Sequence, residues 1–177
     1  MRAEAATYVR RSAHHVLAFA ANPYRYQQAD SKIRAVLSWS PTGDHGRMRV
    51  LVRLAGLPLP GALHLEYRRV GDFRLRVRIV RTSLVRLFAE FDAAFTCIED
   101  GEGTWVAHAE ALRFRGPLEP MVRLLLARWF REELYAEVER LRQAVEEQID
   151  EAARPAGPPR NPAGELPDVS EEVPLGR

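Results

Sequence analysis

Apolar and polar residues alternate with a period of two along most of the first 115 residues, which is typical of β-strands with one face in water. The clearest runs are residues 73–79, where apolar side chains alternate with three arginines, and residues 87–97, where Leu87 begins the alternation. Turns rich in Gly and Asp separate the runs, as in antiparallel hairpins. The pattern predicts about seven strands, the others covering residues 4–11, 32–39, 47–54, 63–69 and 104–114.

The same alternation assigns each strand an inner and an outer face. In residues 32–39 it places four apolar residues inside, namely Ile33, Ala35, Leu37 and Trp39, and leaves Lys32, Arg34, Val36 and Ser38 outside. The outer face of the whole sheet is rich in arginine, at Arg34, Arg47, Arg49, Arg53, Arg74, Arg76, Arg78 and Arg113. Acidic residues interrupt it, and Trp105 is its one clear aromatic, so we interpret it as a solvated surface and expect no nucleic-acid partner.

Two segments follow helical periodicity instead. Ser12 is a suitable N-cap for a short helix that ends at Asn22 and Pro23, and a further turn is predicted at residues 24–28. A long helix is predicted from Pro117, its first residue, with no helix breaker before Pro155. One apolar stripe repeats at spacings of four and three along its later part, at Phe130, Leu134, Val138, Leu141, Val145 and Ile149.

The first part of this helix, residues 118–130 from Leu118 to Phe130, is apolar around nearly its whole circumference. A helix that lies on one sheet needs only a stripe, so the additional apolar residues must meet a cavity, a membrane surface or a partner. We therefore expect a transient membrane-surface contact or a protein contact to be possible here. The sequence leaves the oligomeric state open.

Composition places a boundary near Glu151. The last 26 residues hold half of the 12 prolines and almost no large apolar side chain, so they cannot bury enough surface to fold. We predict one domain over residues 1–151 and a disordered Pro-rich tail over residues 152–177.

The net charge is only +2, and 25 of the 26 basic residues are Arg, a bias that we attribute to genome composition. The single cysteine, Cys97, and the lack of an apolar leader or span indicate the cytoplasm.

The order of strand, short helices, six-stranded meander and long C-terminal helix resembles the START-like (SRPBCC) superfamily, and within it the polyketide cyclase/dehydrase and lipid-transport group. Three segments carry the resemblance: Ser12 to Pro23, Gly103 to Val106 and Gly116 to Met121. It implies an α+β helix-grip fold, in which a curved antiparallel sheet wraps round the long helix. It also implies lipid-like or polyketide-like ligands.

Such a sheet leaves an apolar cavity beside the helix, because side chains cannot fill all the space. Inward parity predicts the ligand-binding residues as Val50, Val52, Leu65, Tyr67, Leu75, Val77, Phe91, Phe95, Val106, His108, Glu110, Leu112, Met121, Leu125 and Trp129. Within this set His108, Glu110 and Tyr67 are weak catalytic candidates. His108 and Glu110 share one strand face, where they form a structural pair, orient a ligand or act as acid and base. No metal-ligand motif or cofactor motif occurs, so we expect neither.

The sequence thus predicts a protein that binds a hydrophobic small molecule or lipid in an internal cavity. Two alternatives stay open. One is an aromatase/cyclase-like enzyme that acts on a polyketide, and the other is a membrane-associated or protein-partner module that uses the apolar start of the last helix.

Overall fold

The computed structural model describes residues 1–80, 89–117 and 119–152. Leu87, Leu118 and the predicted tail from residue 153 onward lie outside the described residues, as does the side chain of Ile149. The domain boundary near Glu151 therefore stays a prediction.

One antiparallel sheet and three helices make up the described part of the chain. Their order is β1 (Arg2–Val9), α1 (Ala13–Ala21), α2 (Pro23–Tyr26), β2 (Ile33–Thr42), β3 (His45–Leu54), β4 (Leu57–Pro58), β5 (Leu63–Arg69), β6 (Arg74–Ile79), β7 (Ala89–Asp100), β8 (Gly103–Phe114) and α3 (Glu119–Ala152). The strands lie in the order β1-β8-β7-β6-β5-β3-β2, and the two-residue β4 pairs with β3 only. This arrangement confirms the predicted helix-grip fold.

Local signals explain where the helices begin and end. Ser12 precedes α1 as predicted, although its side chain makes no capping hydrogen bond. Asn22 ends α1 and also caps α2, because its side-chain oxygen accepts hydrogen bonds from the backbone N–H groups of Tyr24 and Arg25. The long helix begins at Glu119 rather than at Pro117, so that proline precedes the helix.

Strand β2 departs from the alternation that the sequence predicts. The pairing of β2 with β3 shifts register twice, between Ile33 and Ala35 and between Val36 and Ser38. Because each one-residue shift reverses the faces of a strand, Leu37 is 48% exposed while Val36 packs against the core. The prediction that Leu37 faces inward and Val36 outward is therefore wrong. Phe73, also predicted inside, precedes β6 and is exposed.

The apolar stripe of α3 packs as its spacing predicts. Phe130, Leu134, Val138, Leu141 and Val145 are all buried. They join two clusters, one against β1 and the end of β8 and one against α1 and the middle of the sheet. Cys97 is a buried free thiol in the larger cluster, and burial together with the nearby Glu99 raises its pKa to about 11, which agrees with a structural role.

The start of α3 differs from this stripe because its apolar residues face outward. Met121, Leu124 and Leu125 are 53%, 81% and 68% exposed. None of the helices within the described ranges is long and apolar enough to cross a membrane. These exposed residues lie on the helix before its buried stripe begins. Their contact with a membrane surface or a partner stays a prediction.

Single substitutions distinguish the two parts of α3. Leu124→Ser is expected to change the free energy of unfolding by less than about 0.5 kcal/mol, because the side chain is exposed. Phe130→Ser is expected to cost about 3–5 kcal/mol, because it removes a buried aromatic ring. Urea unfolding measures both values. Equal losses would show that Leu124 packs in the core.

The arginines of the outer face are exposed, as the strand parity predicts. Arg76 of β6 forms a two-pronged ion pair with Asp92 of β7, and the Oδ2 of Asp92 lies 2.6 Å from its Nη2. Glu66 stands between Arg47 and Arg78 in the register of β3, β5 and β6. Acidic neighbours thus neutralise part of the basic surface.

Candidate functional site

A cavity of about 100 Å³ lies inside the grip, between the concave face of the sheet, α2 and the buried part of α3. Its wall is mainly aliphatic and aromatic, contributed by β2, β3, β5, β6, β7 and β8. The polar residues in the wall are Tyr26, Asp30, Lys32, His108 and Glu110. The cavity is therefore apolar with one group of polar side chains, which is the usual composition of a small-molecule site.

Most of the predicted lining residues on the strands surround this cavity: Val50, Val52, Leu65, Val77, Phe91, Phe95, His108, Glu110 and Leu112. Leu75 and Val106 are buried in the larger core cluster but do not reach the cavity. Tyr67 packs its ring over Gly46 of the paired strand β3, where a side chain would collide with it. The cavity placement of these three residues is corrected, because inward parity alone does not locate the empty space.

The three lining residues predicted on the long helix are also corrected. Met121 and Leu125 are exposed, and Trp129 packs against the smaller core cluster rather than the cavity. Phe130 lines the cavity instead. The fully buried stripe of the helix begins at Phe130, and Met121 and Leu125 lie on the exposed side of the turns before it.

Lys32 is the centre of the polar group. Its ammonium lies 3.3 Å from Asp30 Oδ1 and 3.2 Å from Glu110 Oε1, and it forms an ion pair with Glu137 Oε2. Burial opposes the charge of Lys32, but the carboxylates of Asp30, Glu137 and Glu110 more than offset this effect and raise its pKa above the ordinary value. Lys32 is therefore a buried ammonium rather than a nucleophilic amine.

Glu137 joins this group to the long helix. Its side chain is fully buried, and Tyr26 of α2 donates a hydrogen bond to its Oε1. Desolvation, followed by the neighbouring carboxylates of Glu137 and Asp30, raises the pKa of Tyr26, so the phenol stays neutral. The contacts connect α2, the segment before β2, and α3.

His108 lies between the aromatic wall and the carboxylates. Its ring stacks on Phe95, with centroids 3.9 Å apart and an interplanar angle of 16°. The Nδ1 atom is 3.4 Å from Glu137 Oε1 and Nε2 is 3.8 Å from Glu110 Oε1, yet neither ring nitrogen has a hydrogen-bond partner among the described residues. Burial, and then the charge of Lys32, lower the pKa of His108 to about 3, so the imidazole is neutral.

Asp30 and Glu110 hold their protons more strongly than free carboxyl groups do. Burial, and then the charge of Glu137, raise the pKa of Asp30 to about 6 against the opposing effect of Lys32. The same two causes raise the pKa of Glu110 well above its ordinary value. A carboxyl whose protonated form is favoured by burial and a neutral imidazole thus stand side by side in the cavity wall.

Three of these groups have the geometry of metal ligands. One atom each of His108, Glu110 and Glu137 lie within 4.8 Å of one another. The Lys32 ammonium, however, is in contact with both carboxylates and supplies the positive charge that a metal would bring. The group therefore favours a polar ligand over a metal ion.

Four residues of the cluster are missing from the sequence prediction: Tyr26, Asp30, Lys32 and Glu137. The alternation predicts Lys32 on a wet strand face, which is wrong because it precedes the first residue of β2 and is buried. Two signals point to the cluster in the sequence. Lys32 is the one lysine of the chain, and Glu137 lies three residues after Leu134 and four before Leu141, on the buried stripe of α3.

Comparison with known proteins adds to this picture at the level of fold. No family model matches the sequence, and no curated protein does. A protein of solved structure from Thermus thermophilus matches with a TM-score of 0.68 and 16% identity, over 82% of this chain and 97% of that one. A START superfamily protein from Mycobacterium smegmatis matches with a TM-score of 0.58 and 16% identity, over 85% and 98%. The Zhui aromatase/cyclase from Streptomyces sp. R1128 matches with a TM-score of 0.59 and 18% identity, over 89% and 98%.

Proposed function

We propose that this chain, which has the START-like helix-grip fold, binds a hydrophobic small molecule in the cavity between its sheet and its long helix. The observation that carries the proposal is the composition of the wall, in which apolar side chains from six strands surround an interior space and the polar groups stand together. A cavity of this kind exposes apolar surface that a ligand would cover, and binding would gain the free energy of that burial.

The size of the cavity sets which molecules should be used first. An engineered apolar cavity of about 150 Å³ accommodates benzene. At about 100 Å³ the cavity here is smaller, so one-ring molecules are the first probes to use, and even these require the wall to open. The lipid-like or polyketide-like ligands implied by the resemblance require the cavity to open further. The exposed apolar residues at the start of α3 support a contact with a membrane or a protein partner while a ligand enters or leaves the cavity.

The enzyme alternative uses the same site. His108 and Glu110, the acid and base candidates, both line the cavity, so a cyclase-like activity would also begin with binding there, but a pKa of about 3 makes His108 a weak base. Binding is the function common to both interpretations, and it is the one proposed here.

Titration with p-xylene, followed by backbone amide NMR, tests the proposal. We expect saturable shifts at the residues of the wall in the unaltered protein. Ala93→Leu is expected to weaken binding at least about fivefold, because it places a larger side chain in the cavity. Ala94→Leu is the matched control, since the adjacent residue of β7 faces the other side of the sheet. A folded protein without a saturable site, or equal losses in both variants, would contradict the proposal.

A further inference from the structure

The polar end of the cavity holds atoms whose hydrogen-bonding capacity is unused. Both ring nitrogens of His108 and the Oε2 atom of Glu110 are buried and have no hydrogen-bond partner among the residues that the structure describes. The two side chains are 1% and 2% exposed, and both line the cavity. Buried polar atoms are usually paired, because an unpaired one costs about 1–3 kcal/mol. Because both side chains line the cavity, a ligand there can supply partners that the protein does not.

The charge of the surrounding group restricts what that partner can be. Three carboxyl groups, Asp30, Glu110 and Glu137, surround the one ammonium of Lys32. With His108 neutral, three carboxylates and one ammonium give the group a net charge of −2, and a proton on one carboxyl still leaves −1. An anion placed beside it would be repelled and would also lose its hydration.

The geometry assigns a donor and an acceptor to the unpaired atoms. Burial and the charge of Glu137 favour the protonated form of Glu110, and Lys32 donates toward its Oε1, so we place the carboxyl proton on Oε2. On His108, Nδ1 is the nitrogen that faces Glu137 Oε1, at 3.4 Å, so we place the ring proton there. The Nε2 atom is then an acceptor, and it lies on the side of Glu110. A donor and an acceptor thus face the cavity from neighbouring residues of one strand.

We propose that the cavity selects an uncharged ligand whose polar group both donates to His108 Nε2 and accepts from Glu110, such as a phenol, an enol or a hydroxyketone, and that it rejects carboxylates. The inference rests on the proposed function, and it narrows the ligand class from hydrophobic molecules in general. Free fatty acids are thereby excluded as ligands at neutral pH.

The identity of the central cation fits this role. A lysine ammonium is compact and has three donors, one for each surrounding carboxyl group, whereas an arginine guanidinium is planar and larger. The chain uses Arg at 25 of its 26 basic positions, and the exception is Lys32. Lys32 contacts one oxygen of each carboxyl group. The second oxygen of Glu110 has no partner among the described residues and can therefore pair with a ligand.

The test compares one-ring probes that share an apolar body: p-xylene, p-cresol, p-toluate and 4-methylbenzylammonium, titrated at pH 7 by amide NMR. We expect p-cresol to bind about tenfold more tightly than p-xylene, although its hydroxyl is better hydrated, because it pairs the two buried groups. We expect p-toluate to bind at least about tenfold more weakly than p-xylene.

The outcomes separate this inference from the proposed function. If no probe binds, the proposed function fails. If p-xylene binds but p-cresol binds no more tightly, or if p-toluate or the ammonium probe binds more tightly than p-cresol, the inference on ligand class is overturned while the cavity stands.

Single substitutions test whether His108 and Glu110 cause the preference for p-cresol over p-xylene. His108→Phe keeps a ring against Phe95 but removes the acceptor, so it is expected to abolish the preference for p-cresol while p-xylene still binds. Glu110→Gln keeps a donor at the same place and is expected to retain the preference. His45→Phe is the matched control, because His45 is exposed at the start of β3. An unchanged preference in a folded His108→Phe protein would contradict the assignment.

Discussion

Replacing Lys32 with Met is expected to lower the free energy of unfolding by about 3–5 kcal/mol at pH 7. The substitution removes the ammonium that three buried carboxyl groups share, while the methionine side chain fills a similar volume. The carboxylates left behind are either charged without a partner or protonated at a cost. Urea unfolding, monitored by circular dichroism, gives the difference.

Two further variants make the result specific. Arg76→Met removes the cation of an exposed ion pair with Asp92 and is expected to cost less than about 1 kcal/mol. Lys32→Arg keeps the charge but not the compact shape. It is expected to lower the free energy of unfolding by most of the amount that Lys32→Met does. If Lys32→Met and Arg76→Met cost the same small amount, Lys32 is not the centre of a buried network.

Acidification is expected to destabilise the protein through His108, and the His108→Gln variant isolates this effect. The unfolded chain binds a proton at this histidine below about pH 6.5, whereas the folded protein binds it only near pH 3, because burial and the charge of Lys32 lower the pKa to about 3. Stability from this residue is thus fully present above pH 6.5 and is lost as the pH falls. Two pH units correspond to about 2–3 kcal/mol, so the loss at pH 4.5 is of that size.

Two carboxyl groups near His108 also contribute to the pH dependence of stability. The raised pKa values of Asp30 and Glu110 act in the opposite direction, because these carboxyl groups bind protons in the folded state first. Glu137, Lys32 and Tyr26 also face the ring but are present in both proteins. The difference between the unfolding free energies of the two proteins, measured from pH 7 to pH 4.5, therefore reports on His108. Parallel pH profiles would show that the histidine is accessible to protons in the folded state.

The sheet could be predicted from the sequence where the alternation is regular. In β6, arginines alternate with Leu75, Val77 and Ile79, and the structure buries each of these apolar residues. In β2 the alternation misleads between residues 34 and 38, because one register shift reverses the faces there, a second restores them, and no local residue type announces either shift. Periodicity reports which face a residue occupies only while the pairing stays regular.

The site could be predicted only in part for a similar reason. His108 and Glu110 could be found because strand parity places them inside among apolar neighbours. Asp30 and Lys32 lie in a connecting segment without periodicity, so their burial depends on tertiary packing against Glu137, more than 100 residues later in the chain. The lining residues predicted on the early part of α3 fail because a helix that is apolar all round does not reveal which side meets the sheet.

The pairing of β1 with β8 has a consequence for how the protein is made. These strands pair residue by residue, from Arg2 opposite Ala111 to Val9 opposite Thr104. The first strand of the sheet to be synthesised, β1, therefore cannot pair until the last one, β8, has been made. During synthesis at about 5–20 residues per second, β1 remains unpaired for several seconds. Loop closure over such a distance also slows folding in free solution. The nascent chain thus exposes the unpaired edges of β1 until β8 has been made.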